Sequence, residues 1–104
     1  MSKGFVRVAS RDEVPPGALL GVEALGERIV VCNVDGVLYA VRDECTHEYY
    51  PLSAGELNGK TLTCMLHGAR FDVETGEVLA LPAYESLKTY EIKVEGGEIM
   101  VALD

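Results

Sequence analysis

Residues 28–42 read RIVVCNVDGVLYAVR. Two runs rich in β-branched and aromatic residues, Arg28–Val34 and Val37–Arg42, flank the pair Asp35-Gly36. An Asp-Gly pair supplies the positive φ angles of a two-residue turn, so the stretch predicts a β-hairpin. Phe5–Ala9 and Leu19–Ala24 are strand candidates before it, separated by the loop Val14–Gly17. Leu87–Val94 and Ile99–Leu103 follow it, joined by a turn at Glu95–Glu98. Leu57–Lys60 and Val73–Glu77 carry further turn signals. No window of more than about ten residues holds an apolar period of 3.6, and the best place for a short helical turn is Ala83–Ser86. Many short strands at close spacing predict an all-β sandwich or small barrel. With no repeat, low-complexity tract or dividing linker, residues 1–104 are expected to form a single domain. The region 43–83 differs from its flanks and reads as an excursion from a β base.

The chain has seventeen acidic and nine basic residues, a formal net charge of −8. That balance argues against nucleic acid and anionic membrane surfaces, both of which need a positive protein face. It suits a partner with a basic face, reached by long-range attraction that salt weakens. No apolar run approaches the roughly 18 residues of a membrane span. The opening residues lack the apolar block of a secretory signal, so the expected location is the cytoplasm. Three Cys without such a signal fit ligand use in a reducing compartment better than a disulfide framework. Cys32, inside the apolar run Ile29–Val34, reads as an inert core thiol.

The remaining cysteines stand beside the only two histidines of the chain. The pattern is Cys45-x-His47, sixteen residues, then Cys64-x-x-His67. Residues two apart in extended chain face the same way, and a separation of three suits a tight turn. Two such loops, brought together by the hairpin at Leu57–Lys60, supply two sulfurs and two nitrogens. Three arrangements are open on these residues: no metal, a structural zinc with two Cys and two His, or a two-iron, two-sulfide cluster. Zinc fingers normally group Cys with Cys and His with His, whereas here each loop gives one of each. In a mixed-ligand cluster one iron takes both thiolates and the other both imidazoles.

Cys45-Thr-His47 and Cys64-Met-Leu-His67-Gly68 resemble the two ligand boxes of the Rieske iron–sulfur family. The resemblance continues through Gly68–Asp72, Thr75-Gly76 and Leu81-Pro82-Ala83, the last matching the family's proline loop over the cluster. It implies a Rieske fold: an antiparallel, β-sandwich-like base with an inserted cluster-binding subdomain, about 43–83. It further implies a [2Fe-2S] cofactor held by Cys45, His47, Cys64 and His67, with the cysteines as buried anchor and the histidines toward solvent as the electron exit. Glu48, Tyr49, Tyr50, Met65 and Leu66 flank the ligands and are candidates either for a docking rim or for ordinary loop packing.

The departures from the family pattern are informative. High-potential Rieske proteins carry an extra Cys in each box, joined as a disulfide; neither box has one here. Those proteins also have a Ser and a Tyr where this chain has Ala69 and Phe71. Hydroxyls that donate to sulfur stabilise the reduced cluster, so their loss predicts a potential at the low end of the Rieske span, on the order of −150 mV. No further His remains for a mononuclear iron site, and no G-x-G-x-x-G dinucleotide fingerprint occurs. The resemblance therefore implies a one-electron carrier without a catalytic site. Its expected partners are a flavin-dependent, NAD(P)H-using reductase and a terminal oxygenase, an aromatic-ring dioxygenase or a related enzyme. A small Rieske subunit of a larger enzyme, such as an assimilatory nitrite reductase, is the alternative, with a zinc module behind it.

Overall fold

In the computed structural model the Asp35-Gly36 hairpin forms as its residues dictate. Both central residues take positive φ, 51° at Asp35 and 95° at Gly36, as a type I′ turn requires. The structure describes residues 4–45, 50–65, 68–80 and 85–103. Their strands are β1 (Gly4–Ser10), β2 (Leu19–Ala24), β3 (Glu27–Val34), β4 (Val37–Arg42), β5 (Glu56–Asn58) and β6 (Thr61–Thr63). They continue with β7 (Arg70–Asp72), β8 (Val78–Ala80), β9 (Thr89–Tyr90), β10 (Ile92–Glu95) and β11 (Glu98–Leu103). Short 3-10 turns at Arg11–Glu13 and Leu52–Ala54 are the helical segments among the described residues.

These strands make three antiparallel sheets: β1-β11-β10, β2-β3-β4-β9 and β5-β6-β7-β8. The middle sheet is covered on both faces. Val30, Cys32 and Val34 of β3 share an apolar cluster with Leu62 and Phe71 of the third sheet. Ile29 and Val31, pointing the other way, pack with Val101 and Ile99 of the first sheet. The alternation of strand side chains therefore gives β3 two cores, and all six residues Ile29–Val34 are buried. Each buried aliphatic side chain contributes about 1.5–3 kcal/mol. Exposed ion pairs such as Lys60–Glu74 at 2.7 Å are screened by water and salt and add little, so apolar layering holds the fold.

Asn33, the polar residue in that buried run, is fully used. Its Nδ2–H donates to the Val14 carbonyl at 2.7 Å, and its Oδ1 accepts the Gly36 N–H at 2.8 Å. One side chain thus caps the hairpin turn and ties down the Val14–Gly17 loop, which satisfies its buried polar atoms.

Several sequence expectations shift. Leu87–Val94 is not one strand: Tyr90 pairs with Ala40 in the middle sheet, whereas Ile92 pairs with Val101 in the first. The chain changes sheet at Glu91, because each half finds a different edge to complete. The turn at Leu57–Lys60 moves by one residue. Asn58 stays in β5 opposite Thr61, and Gly59 takes the positive φ of 59°. The helical turn expected at Ala83–Ser86 falls partly outside the described residues, and Glu85 and Ser86 are not helical.

The β2–β3 turn places Leu25 at φ 50°, 79% exposed, followed by Gly26 at φ 82°. A left-handed leucine costs roughly 1–2 kcal/mol, and at that exposure no packing offsets it. Leu25→Asn should therefore stabilise the protein by about 1 kcal/mol in urea unfolding, since Asn tolerates this conformation. An unchanged or lower midpoint would show that Leu25 is not strained.

Candidate metal centre

The strand order brings the two Cys-containing loops together. Cys45 follows β4 by three residues, and Cys64 follows β6 directly. Their loops close in the same way. The Cys45 N–H donates to the Tyr50 carbonyl at 2.9 Å, and the Cys64 N–H donates to the Ala69 carbonyl at 2.7 Å. In each case the cysteine bonds the residue five positions on. The two segments matched in sequence thus share the same closing hydrogen bond.

Cys45 is 2% exposed and Cys64 is 1% exposed, and both belong to the apolar cluster that contains Leu52, Leu62, Ala69 and Phe71. Neither is in a disulfide. Ala69 and Phe71 are fully buried in that same cluster, so the two positions noted for their missing hydroxyls lie in the cysteines' own surroundings. His47, His67 and the segment Leu81-Pro82-Ala83 lie outside the described residues, as do Glu48, Tyr49 and Leu66. Of the remaining candidates for a rim, Tyr50 packs against the apolar cluster and Met65 is 58% exposed.

Glycines fix how closely the loops approach. A Cβ on Gly55 would collide with the Thr63 carbonyl oxygen, immediately before Cys64. A Cβ on Gly76 would collide with the Leu87 carbonyl oxygen, where the Leu87 N–H also donates to the Gly76 carbonyl at 2.7 Å. These contacts hold the segments after each loop against their neighbours. They escaped the sequence reading because a close approach between distant segments leaves no local pattern.

Charge is arranged in pairs beside Cys45. Glu44 lies 3.4 Å from Arg42 and 3.9 Å from Arg28. Glu27 accepts a hydrogen bond from the Tyr90 hydroxyl at 2.7 Å and lies 3.4 Å from Lys88. The Tyr90 hydroxyl, followed by Lys88, holds the Glu27 carboxyl below its ordinary range. Burial, then the Glu27 hydrogen bond and charge, push the Tyr90 phenol up to about 12.

The donor chemistry fits a sulfur-ligated metal group. Two cysteines outside any disulfide are buried in one apolar cluster, each at the base of a matched loop that also carries a histidine. Residues 4–91 match the Rieske [2Fe-2S] domain family. The chain belongs to that family, and its cofactor is a Rieske-type [2Fe-2S] cluster. It is 42% identical over 98 residues to the biphenyl dioxygenase ferredoxin subunit of Pseudomonas sp. (strain KKS102), covering 93% of this chain and 90% of the relative. The ferredoxin of carbazole 1,9a-dioxygenase from Nocardioides aromaticivorans IC177 superposes with a TM-score of 0.91 at 33% identity, covering 96% of this chain and 98% of that one. A chain in a complex of reduced oxygenase and oxidised ferredoxin in carbazole 1,9a-dioxygenase superposes at 0.90 with 32% identity, covering 97% and 94%. The all-β, antiparallel Rieske fold expected from the motifs is the fold observed. No helix among the described residues is long and apolar enough to cross a membrane.

Cys32 behaves differently from the loop cysteines. It lies in mid-strand with no exposed surface, and burial, then the nearby Asp43 charge, push its thiol from 9.0 up to about 12. The folded-state value lies above the unfolded one. The stability it contributes is thus fully present below pH 9 and is lost as pH rises toward 12. Iodoacetamide at pH 8 should leave Cys32 unmodified in the native protein and alkylate it after denaturation, as read by mass spectrometry. Modification at equal rates in the two states would show that this face of β3 is open.

Proposed function

We propose that the chain is the ferredoxin component of a ring-hydroxylating dioxygenase system, carrying single electrons from a flavin-dependent, NAD(P)H-using reductase to a terminal oxygenase. The observation that carries this is the pair of matched loops, each with a buried cysteine at its base, on a frame that superposes on dioxygenase ferredoxins along nearly its whole length. Relatives matched over nine-tenths or more of both chains bear the name of ferredoxin components, which supports a separate carrier over a fixed subunit. With an NAD(P)H-dependent donor, its compartment is the cytoplasm.

The residues assigned to the cluster are Cys45 and Cys64 on one iron and His47 and His67 on the other, within a cluster-binding portion of about 43–83. The cofactor takes up and releases one electron at a time. The chain's own part is to exclude water and hold the ligands still. Leu52, Leu62 and Phe71 seal the cysteine side, while the two loop-closing hydrogen bonds fix the backbone on which the ligands stand. Both histidines of the chain are used in this assignment, so none is left for a mononuclear oxygen-activating iron, and the chain has no catalytic site of its own.

Two experiments test this. Product formation by a matched reductase and oxygenase should depend on added protein, and turnover that proceeds equally without it would refute the carrier role. The midpoint potential should lie at the low end of the Rieske span, on the order of −150 mV. Ala69→Ser combined with Phe71→Tyr should raise it in protein-film voltammetry, because hydroxyl donors near sulfur stabilise the reduced state. A wild-type midpoint well above zero would contradict the part assigned to these two residues.

A further inference from the structure

We infer that Asp43 and Ser53 form a latch that sets the position of the first ligand loop, an inference that rests on the ligand assignment above. The two loops differ in how their stems are held. The second springs from paired strands, with Thr63 opposite Arg70 immediately outside Cys64 and Ala69. Among the described residues the first has no such ladder. On one side Asp43 follows the end of β4, and on the other Ser53 sits in the 3-10 turn Leu52–Ala54. A side-chain contact takes the place of the missing rung. The Ser53 N–H donates to Asp43 Oδ1 at 2.6 Å, and the Ser53 hydroxyl donates to Asp43 Oδ2 at 2.6 Å.

This pair is seated on the middle sheet. The Asp43 N–H donates to the Arg28 carbonyl of β3 at 2.9 Å. On β2, Gly21 leaves the space the pair occupies: a Cβ there would lie 2.7 Å from Ser53 Oγ and 2.8 Å from Asp43 Oδ2. Asp43 is 7% exposed, so water competes weakly for its oxygens. Between the latched residues run nine others, including Cys45 and His47. With the stem open, the Cys45–Tyr50 hydrogen bond would be the remaining backbone closure of that loop among the described residues, and both ligands would move with it. Asp43 and Ser53 are positioning residues, because they act through the loop and not on the cluster itself.

The test compares four variants of the cluster-loaded protein. Ser53→Ala removes one of the two hydrogen bonds, and Gly21→Ala wedges the pair apart without altering either partner. Asp43→Asn removes the charge but keeps a two-point contact, since its amide oxygen accepts the Ser53 N–H and its amide N–H donates to Ser53 Oγ. Ile99→Val, in the remote core of the first sheet, serves as a control for general destabilisation. The readouts are the rate of visible bleaching under an iron chelator, the EPR line shape of the reduced protein, and the thermal midpoint. Ser53→Ala and Gly21→Ala should bleach about tenfold faster than wild type and broaden the EPR signal. Asp43→Asn and Ile99→Val should stay close to the wild-type rate. Bleaching by Ser53→Ala and Gly21→Ala at the wild-type rate, or no faster than Ile99→Val, overturns the latch. So does Asp43→Asn bleaching as fast as Ser53→Ala, because the charge and not the contact would then be at work. Wild-type protein that binds neither iron nor sulfide overturns the ligand assignment instead, and so is told apart from failure of the latch alone.

Discussion

From Ile29 to Val34, β3 has no solvent face. Val30, Cys32 and Val34 are covered by the sheet that carries the second Cys loop, and Ile29 and Val31 by the sheet of the chain ends. Every other layer takes its position from this strand. The loop before Cys45 leaves β4, its hairpin partner, and the β2 residue that accommodates the Asp43–Ser53 contact is paired with Val30. A register slip of one residue would exchange the two sets of β3 side chains between cores of different shape. The double burial therefore fixes not only the fold but also where the two cysteine loops emerge.

The same apolar environment gives the cysteines different fates. Cys32 is locked in the ladder, stays protonated and packs as a small hydrophobe. Cys45 and Cys64 share its cluster but stand at the base of loops. In the proposed assignment, metal coordination is what would compensate burial of those two sulfurs. Ala69 and Phe71, fully buried in the same cluster, bring no hydroxyl to it.

Legibility in the sequence followed the range of the interaction. The Asp35-Gly36 hairpin was readable because both residues suit the positive φ angles they adopt. The family was readable because the two Cys-His boxes put rare residue types at short spacing. The β2–β3 turn was missed, since a leucine at φ 50° carries no turn signal. The change of sheet at Glu91 is invisible locally: residues 87–94 look like one strand, and only the unfilled edges beside Ala40 and Val101 divide them. Asp43, Ser53 and Gly21 were missed for the same reason, as their relation exists only once three segments have met.

That crossing at Glu91 has a mechanical meaning. Tyr90 is bonded into one layer of the sandwich and Ile92 into the next, and the Glu91 carbonyl itself accepts the Ala102 N–H at 2.9 Å. A single covalent thread thus keys two sheets together within three residues. Sliding either layer along its strands would tear rungs from the other, so the layers shear together or not at all.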